Sequence, residues 1–168
     1  AKHRISSQIA LTVSLNGTSL SIHQNEIVGI AGMEGQGQEE LMDAVFSSLA
    51  EKHGSFYRAR QKGFAFIPPD RHEEGLLLPF SNGTNLIFGH HREAIYQKYS
   101  QLYPQHYYPK VSPLLTQFHI EPPEIEKPAQ TLSGGNQQKL MIARETHTVP
   151  FFLLASQPTR GVDRGAMD

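Results

Sequence analysis

A glycine-rich turn near the start of the chain has the spacing of a phosphate-binding loop. Residues 32–40 read GMEGQGQEE; they follow the apolar run EIVGIA and precede LMDAVFSSL, whose apolar residues recur at helical spacing. Backbone N–H groups at glycines and the N-terminus of a helix together attract anions. The residues that would form this cradle and its rim are Gly32, Gly35, Gly37, Gln38 and Glu39.

The two residues after the last glycine lack the charge chemistry of such a loop. A lysine commonly neutralises the outer phosphates there and a Ser or Thr hydroxyl holds Mg²⁺, but this chain has Gln38 and Glu39. A hydrogen bond to a charged group contributes about 1.5–3 kcal/mol, so the missing lysine lowers the expected nucleotide affinity about 10- to 100-fold. The alternative is a plain strand-to-helix turn, in which Glu39 favours the first helical turn.

A second glycine pair, in TLSGGNQQK at residues 131–139, also precedes a helical pattern, LMIAR. Ser133, Gly134 and Gly135 would place a hydroxyl and backbone N–H groups at the N-terminus of that helix. Such an arrangement makes a second anion site. The alternative for these residues is a flexible glycine linker.

The same segment closely resembles the signature, LSGGQ, of ATP-binding-cassette (ABC) proteins, in the form found in carbohydrate importers. The resemblance extends over residues 11–168 and is strongest at 131–144 and 158–163. It implies that cassettes pair head to tail, so that each ATP lies between one cassette's glycine loop and the other's signature. The residues that it assigns to the signature are Ser133, Gly134, Gly135, Asn136 and Gln137.

A third segment, LLASQPTRGVD at residues 153–163, resembles the catalytic strand and following turn of ABC proteins. The resemblance places Ser156 where the family has an aspartate that orders Mg²⁺, and Gln157 where it has the glutamate expected to act as general base. Ser156 would hold Mg²⁺ only weakly, because this ion prefers carboxylate and phosphate oxygens. Gln157 can orient a water but cannot accept its proton. Asp163 matches the D-loop aspartate of the family.

Two further positions indicate a degraded nucleotide site. The segment FAFIPPDR places Pro69 where the family has a glutamine that senses Mg²⁺ and the permease. Residues 1–45 contain no aromatic residue that could stack on adenine. The resemblance therefore implies a chain whose own ATP site is degenerate and whose signature is intact.

The elements that would position these motifs alternate between strands and helices. Residues 9–15 and 18–22 predict a hairpin around Asn16-Gly17, and 26–31 predict a buried strand. Residues 64–68 and 151–155 predict two more strands, the second one central in its sheet. The pattern predicts an α/β fold with a parallel sheet, and the resemblance implies a P-loop NTPase-like core with an N-terminal antiparallel part.

Between these strands the pattern predicts an inserted, mainly helical lobe. We expect the core at residues 1–83 and 131–168 and the lobe at 84–130. Tyr96, Tyr99 and Tyr103 would lie on one helical face, either as core or facing a permease. The chain ends at Asp168 just after the turn that leaves the last strand, so we expect a C-terminally truncated cassette within a larger polypeptide.

Composition excludes several classes of function. The net charge of −1 gives no basis for recruiting nucleic acid. There is no cysteine, and no apolar run approaches the ~18 residues that a membrane span needs. The nine histidines have no metal-ligand spacing, so we predict no metal site of the protein's own.

The resemblance to ABC proteins implies the nucleotide-binding domain of an importer for simple sugars or nucleosides. Its signature would complete a partner cassette's ATP site, with ATP and Mg²⁺ as cofactors of the paired assembly. The implied partners are that second cassette and a transmembrane permease, at the cytoplasmic face of a bacterial membrane. The alternatives are an inert scaffold or regulatory cassette, and a weakly active ATPase.

Overall fold

The computed structural model describes residues 6–15, 17–33 and 35–160. The chain forms two compact units, Ala1–Ala59 and Arg60–Asp168, and each is described by itself. Asp163, predicted from the D-loop resemblance, lies outside the described residues. The predicted boundaries of core and lobe, at residues 84 and 131, stay a prediction.

The first unit contains the predicted hairpin. Strand β1 (Ile9–Leu15) pairs antiparallel with strand β2 (Thr18–His23), with Leu15 opposite Thr18 and Ile9 opposite His23. Gly17 has a φ of 79°, which suits the left-handed backbone that a tight hairpin turn needs. The hairpin prediction is confirmed.

Helix α1 (Gln38–His53) follows the glycine loop and buries Val45 and Leu49 four residues apart. Its ends suit the helix dipole, because acidic residues lie in the first turn and basic residues in the last. Gly54, with a φ of 77°, ends the helix in the left-handed conformation. The helix predicted after the glycines is therefore confirmed.

The buried strand predicted at residues 26–31 is wrong. The segment has irregular backbone without strand pairing, and Ile27 is 99% exposed. A strand needs a neighbour to take its backbone hydrogen bonds. Within the described ranges no strand pairs with these residues, so their apolar side chains have no sheet to cover them.

A short helix, α2 (Phe56–Gln61), leads into the second unit, whose sheet pairs strands distant in sequence. Strand β3 (Phe64–Ile67) lies parallel to the last strand, β6 (Phe152–Ala155), with Phe64 opposite Phe152. Both predicted strands are confirmed. The central position predicted for β6 is wrong for the described part of the chain, because β6 pairs only with β3 there and Leu153 is 43% exposed.

After β3 come a short helical turn (Arg71–Gly75) and helix α3 (Asn82–Ile87), capped by the Ser81 side chain. A hairpin of β4 (Gln97–Lys98) and β5 (Gln101–Leu102) then precedes helix α4 (Pro104–Gln117). A 3₁₀ turn (Ala129–Thr131) leads to helix α5 (Gly134–Thr146), which confirms the helix predicted after the second glycine pair.

The helical stripe predicted for Tyr96, Tyr99 and Tyr103 is wrong. Tyr99 and Ser100 have φ values of 53° and 60° and form the two-residue turn between β4 and β5. Tyr96 is buried, whereas Tyr99 is 86% exposed. A tight hairpin thus replaces the helix, and only Tyr96 belongs to the core.

The core of the second unit lies where α3, α4 and α5 meet. It is built from apolar side chains that are 1% exposed or less, among them Leu86, Leu115, Ile120, Leu140 and Met141. This packing buries one face of α5, whereas Ser133 at its N-terminus is exposed. No helix in the described part of the chain is long and apolar enough to cross a membrane.

Candidate functional site

The predicted glycine loop of the first unit has left-handed backbone at two of its glycines. Gly35 and Gly37 have φ values of 80° and 94°, which side-chain-bearing residues rarely adopt. Gln36 N donates to Met33 O at 3.2 Å, and the helix begins at Gln38. The predicted loop residues Gly32, Gly35, Gly37, Gln38 and Glu39 all lie in this one turn.

The side chain of Gln38 folds back against the loop. Gln38 Nε2 donates to Met33 O at 2.9 Å, and a Cβ added at Gly32 would collide with that amide. Gln36 Oε1 accepts from Met33 N at 3.3 Å and closes the other side. Glu39 is exposed in the first turn of α1. A neutral amide and an exposed carboxylate therefore stand at the two positions that follow the last glycine of the loop.

The signature residues lie together at the N-terminus of α5. Ser133 is the N-cap, and its Oγ accepts from Asn136 N at 3.4 Å. Asn136 Nδ2 donates to Ser133 Oγ at 3.0 Å and to Glu121 O at 2.7 Å, while Asn136 Oδ1 accepts from Glu121 N at 3.0 Å. Ser133 is exposed, and Gly134 and Gly135 are partly exposed in the first turn of the helix.

Gln137 has no free hydrogen-bonding group in its side chain. It is buried, and its Nε2 donates to Ala129 O and Leu132 O, both at 3.2 Å. Its Oε1 accepts from Arg71 Nε at 3.3 Å and from His72 Nε2 at 2.9 Å. Gln137, which the resemblance assigns to the signature, therefore supports the turn that precedes α5.

Arg71 places a guanidinium next to the signature glycines. A Cβ at Gly134 would lie 2.8 Å from Arg71 Nη2, so a side chain at this position would have to displace the end of the Arg71 side chain. Arg71 Nη1 also donates to Arg160 O at 3.4 Å. The Asp70 carboxylate caps the helical turn Arg71–Gly75. Hydrogen bonds from His72 N and Glu73 N lower the pKa of Asp70. Spacing alone gave no sign that Arg71 meets α5, because 63 or more residues separate them.

The end of β6 carries the predicted catalytic positions. Ser156 N donates to Ile67 O at 2.9 Å and extends the pairing with β3. Gln157 is exposed in a left-handed conformation, with a φ of 46°. Gln138 Nε2 donates to Pro158 O at 2.8 Å and ties the following turn to α5. Across the described residues, no three His, Asp or Glu side chains come together as a metal site would require.

A buried ionic cluster supports α5 at its other end. The Glu145 carboxylate lies 2.7 Å from both Arg60 Nη2 and Arg144 Nε, and it accepts from Phe66 N at 3.2 Å. Burial by itself would raise the pKa of Glu145, but Arg144 and Arg60 lower it. Sequence reasoning missed this cluster; the signal was the adjacent Arg144 and Glu145 after an apolar helical run.

Three comparisons place these features among known proteins. The family model described as ABC transporter matches residues 15–160. The guanosine import ATP-binding protein NupO of Bacillus subtilis (strain 168) is 37% identical over 162 residues, which cover 89% of this chain and 32% of NupO. The nucleoside import ATP-binding protein NupA of Lactococcus lactis subsp. cremoris (strain MG1363) is 32% identical, with 94% and 33% covered. This chain thus spans about a third of these relatives.

Solved structures share the fold. The dimeric structure of MJ0796, a bacterial ABC transporter cassette, matches 95% of this chain and 76% of its own length with a TM-score of 0.59 and 19% identity. An ABC transporter in an inward-facing conformation matches 90% of this chain and 58% of its own length, also with a TM-score of 0.59 and with 18% identity. The predicted P-loop NTPase-like α/β fold is confirmed.

Proposed function

The chain belongs to the ABC transporter family, as its motifs predicted, and from that premise we propose that it is a nucleotide-binding domain of an importer for simple sugars or nucleosides. The support comes from relatives named as import ATP-binding proteins for guanosine, for nucleosides and for ribose. The activity and partners of the whole transporter are part of this proposal, because the chain spans only about a third of the length of those relatives.

The domain completes the ATP site of a partner cassette, while its own glycine loop contributes little. One contrast carries this part of the proposal: Gln38 fills its own loop with a neutral amide, whereas Ser133 keeps an exposed hydroxyl at the N-terminus of α5. Phosphate binding needs donors that are free and, preferably, positive charge. The second site offers an exposed hydroxyl, whereas the Gln38 amide of the first site is already bonded to Met33 O.

In the paired assembly, the partner supplies ATP and Mg²⁺ on its glycine loop. The Ser133 hydroxyl and the N–H groups of Gly134 and Gly135 donate to a terminal phosphate across the interface. Because these donors are already fixed by the helix, they stabilise negative charge without reorganising. Asn136 and Gln137 hold the donors in place, and Asp163 belongs to the same interface by its resemblance to the D-loop aspartate.

The own site of this domain hydrolyses ATP slowly or not at all. Ser156 offers Mg²⁺ a hydroxyl instead of a carboxylate. Gln157 can orient a water, but it cannot take the proton from it. Closure of the pair is conveyed to a transmembrane permease at the cytoplasmic face of a bacterial membrane, where the domain is peripheral.

The test is ATP hydrolysis by a two-cassette protein that carries this chain as its second cassette. Replacing Ser133 by Arg removes the hydroxyl and blocks the N-terminus of α5, so we expect turnover to fall at least about tenfold. Ser47→Arg, on the exposed face of α1, adds the same side chain away from the signature and serves as control. Wild-type turnover with Ser133→Arg would overturn the proposal and favour the scaffold reading.

A further inference from the structure

The backbone of Glu121 holds the amide of Asn136 in one orientation. Asn136 Oδ1 accepts from Glu121 N at 3.0 Å, and Asn136 Nδ2 donates to Glu121 O at 2.7 Å. A backbone N–H can only donate and a backbone carbonyl can only accept, so the reversed amide would lose both bonds. The main chain therefore decides which atom Asn136 presents to its next neighbour.

That neighbour is the hydroxyl of Ser133. Asn136 Nδ2 donates to Ser133 Oγ at 3.0 Å, and the backbone N–H of Asn136 donates to the same oxygen at 3.4 Å. A serine hydroxyl has two acceptor lone pairs and one O–H group. Both lone pairs are thus engaged, and the O–H of Ser133 is left to donate.

The O–H of Ser133 has no acceptor within the part of the chain that the structure describes, and its side chain is exposed. Two donors that pull electron density from the oxygen also strengthen the O–H as a donor. A hydroxyl fixed in this way suits an acceptor-only partner, such as a phosphate oxygen.

We infer that Asn136 is a positioning residue of the signature, which forces Ser133 to donate its O–H outward to a terminal phosphate of the partner's ATP. This inference rests on the proposed function and adds a role for Asn136 that needs no contact with the nucleotide. In this arrangement the backbone of Glu121, 15 residues away, fixes the orientation of the Asn136 amide.

Replacing Asn136 by Asp reverses the polarity at this position with almost no change in shape. The carboxylate still accepts from Glu121 N, but its other oxygen faces both Ser133 Oγ and Glu121 O with an acceptor in place of the amide donor. The Ser133 O–H then turns inward to the carboxylate and is lost to the phosphate. Asn136→Ala removes the side-chain bonds altogether and leaves the hydroxyl free to rotate.

The experiment measures Mg·ATP hydrolysis by the two-cassette protein with Ser133→Ala, Asn136→Ala, Asn136→Asp and the double variant Ser133→Ala/Asn136→Ala. We expect Ser133→Ala and Asn136→Asp each to lower kcat/KM about 10- to 100-fold, and Asn136→Ala to lower it less. In the Ser133→Ala background, Asn136→Ala should cost less than about twofold, because its effect passes through the missing hydroxyl.

Gln130→Glu, at an exposed position three residues before Ser133, adds the same charge as Asn136→Asp and is the matched control. Thermal melting verifies that each variant folds; if Asn136→Ala does not, the double variant is built with Asn136→Asp. An equal loss for Asn136→Ala in both backgrounds would show a merely structural role and overturn the inference. Unchanged turnover in Ser133→Ala would overturn the proposed function itself, whereas loss there with full activity in Asn136→Asp would overturn only the inference.

Discussion

Arg60 and Glu145, 85 residues apart in the sequence, form an ion pair with 2.7 Å between guanidinium and carboxylate. Both side chains are buried, and Arg144 shares the same carboxylate. Arg144 Nη1 has no hydrogen-bond partner in the part of the chain that the structure describes, and Glu145 supplies the carboxylate that Arg60 and Arg144 share. The pair joins helix α5, which carries the signature, to α2.

We predict that Glu145→Gln strongly destabilises the protein. The change removes the carboxylate that the two buried guanidinium groups share, and breaking a buried ion pair commonly costs about 3–5 kcal/mol in the free energy of unfolding. Urea unfolding of the variant measures this cost. Glu51→Gln, exposed on α1, is the control and should change the free energy of unfolding by less than about 0.5 kcal/mol. Equal midpoints for the two variants would contradict the prediction.

We predict that stability falls as the pH drops below about 6.5, the ordinary pKa of histidine. Burial lowers the pKa of His90, and Arg60, 3.4 Å from Nε2, and nearby His147 lower it further, while Glu93 opposes them. The unfolded chain therefore binds a proton at a higher pH than the folded one. The stability contributed by neutral His90 is present above the unfolded pKa and is lost as the pH falls through and below it.

Thermal melting between pH 7.5 and 5.5 measures this dependence. His90→Asn removes the titrating group and should flatten the pH profile relative to the wild type. If the melting temperature of His90→Asn kept the pH dependence of the wild type, the acid sensitivity would come from another group.

Sequence patterns predicted those elements whose determinants are local. The hairpin around Gly17 and the helices after each glycine pair depend on turn chemistry and on helical spacing within a few residues. The strand expected at 26–31 failed because a strand also needs a partner, which its own residues do not encode. The helix expected at Tyr96 and Tyr99 failed because a left-handed turn at Tyr99 and Ser100 overrides the spacing.

The candidate site divides in the same way. The motifs located Ser133 and the glycine loop, since residue type and spacing are enough to recognise them. The contacts that orient them could not be predicted from local patterns. Asn136 bonds Glu121 across 15 residues, and Gln137 bonds Arg71 across 66 residues. Such pairings follow from the packing of whole elements, to which a linear pattern gives no access.

We predict that Gly134→Ala lowers ATP turnover of the two-cassette protein with little loss of stability. The added Cβ would lie 2.8 Å from Arg71 Nη2 and must displace that guanidinium from Gln137 and from Arg160 O. The end of a flexible side chain can move, so we expect the free energy of unfolding to change by less than about 1 kcal/mol. Hydrolysis and urea unfolding are measured side by side, and unchanged turnover would contradict a role for this contact.

We predict that Gln38→Lys raises the affinity of this domain for Mg·ATP about 10- to 100-fold, because it returns a cation to the glycine loop. The longer ammonium replaces the amide that now bonds Met33 O and lies against Gly32. Titration of Mg·ATP into the two-cassette protein, with the partner's glycine loop disabled, isolates the site. Gln61→Lys adds the same charge at an exposed position at the end of α2 and should leave the affinity unchanged. Micromolar binding with turnover in the wild type would instead identify a working, unconventional ATPase and contradict the degenerate loop.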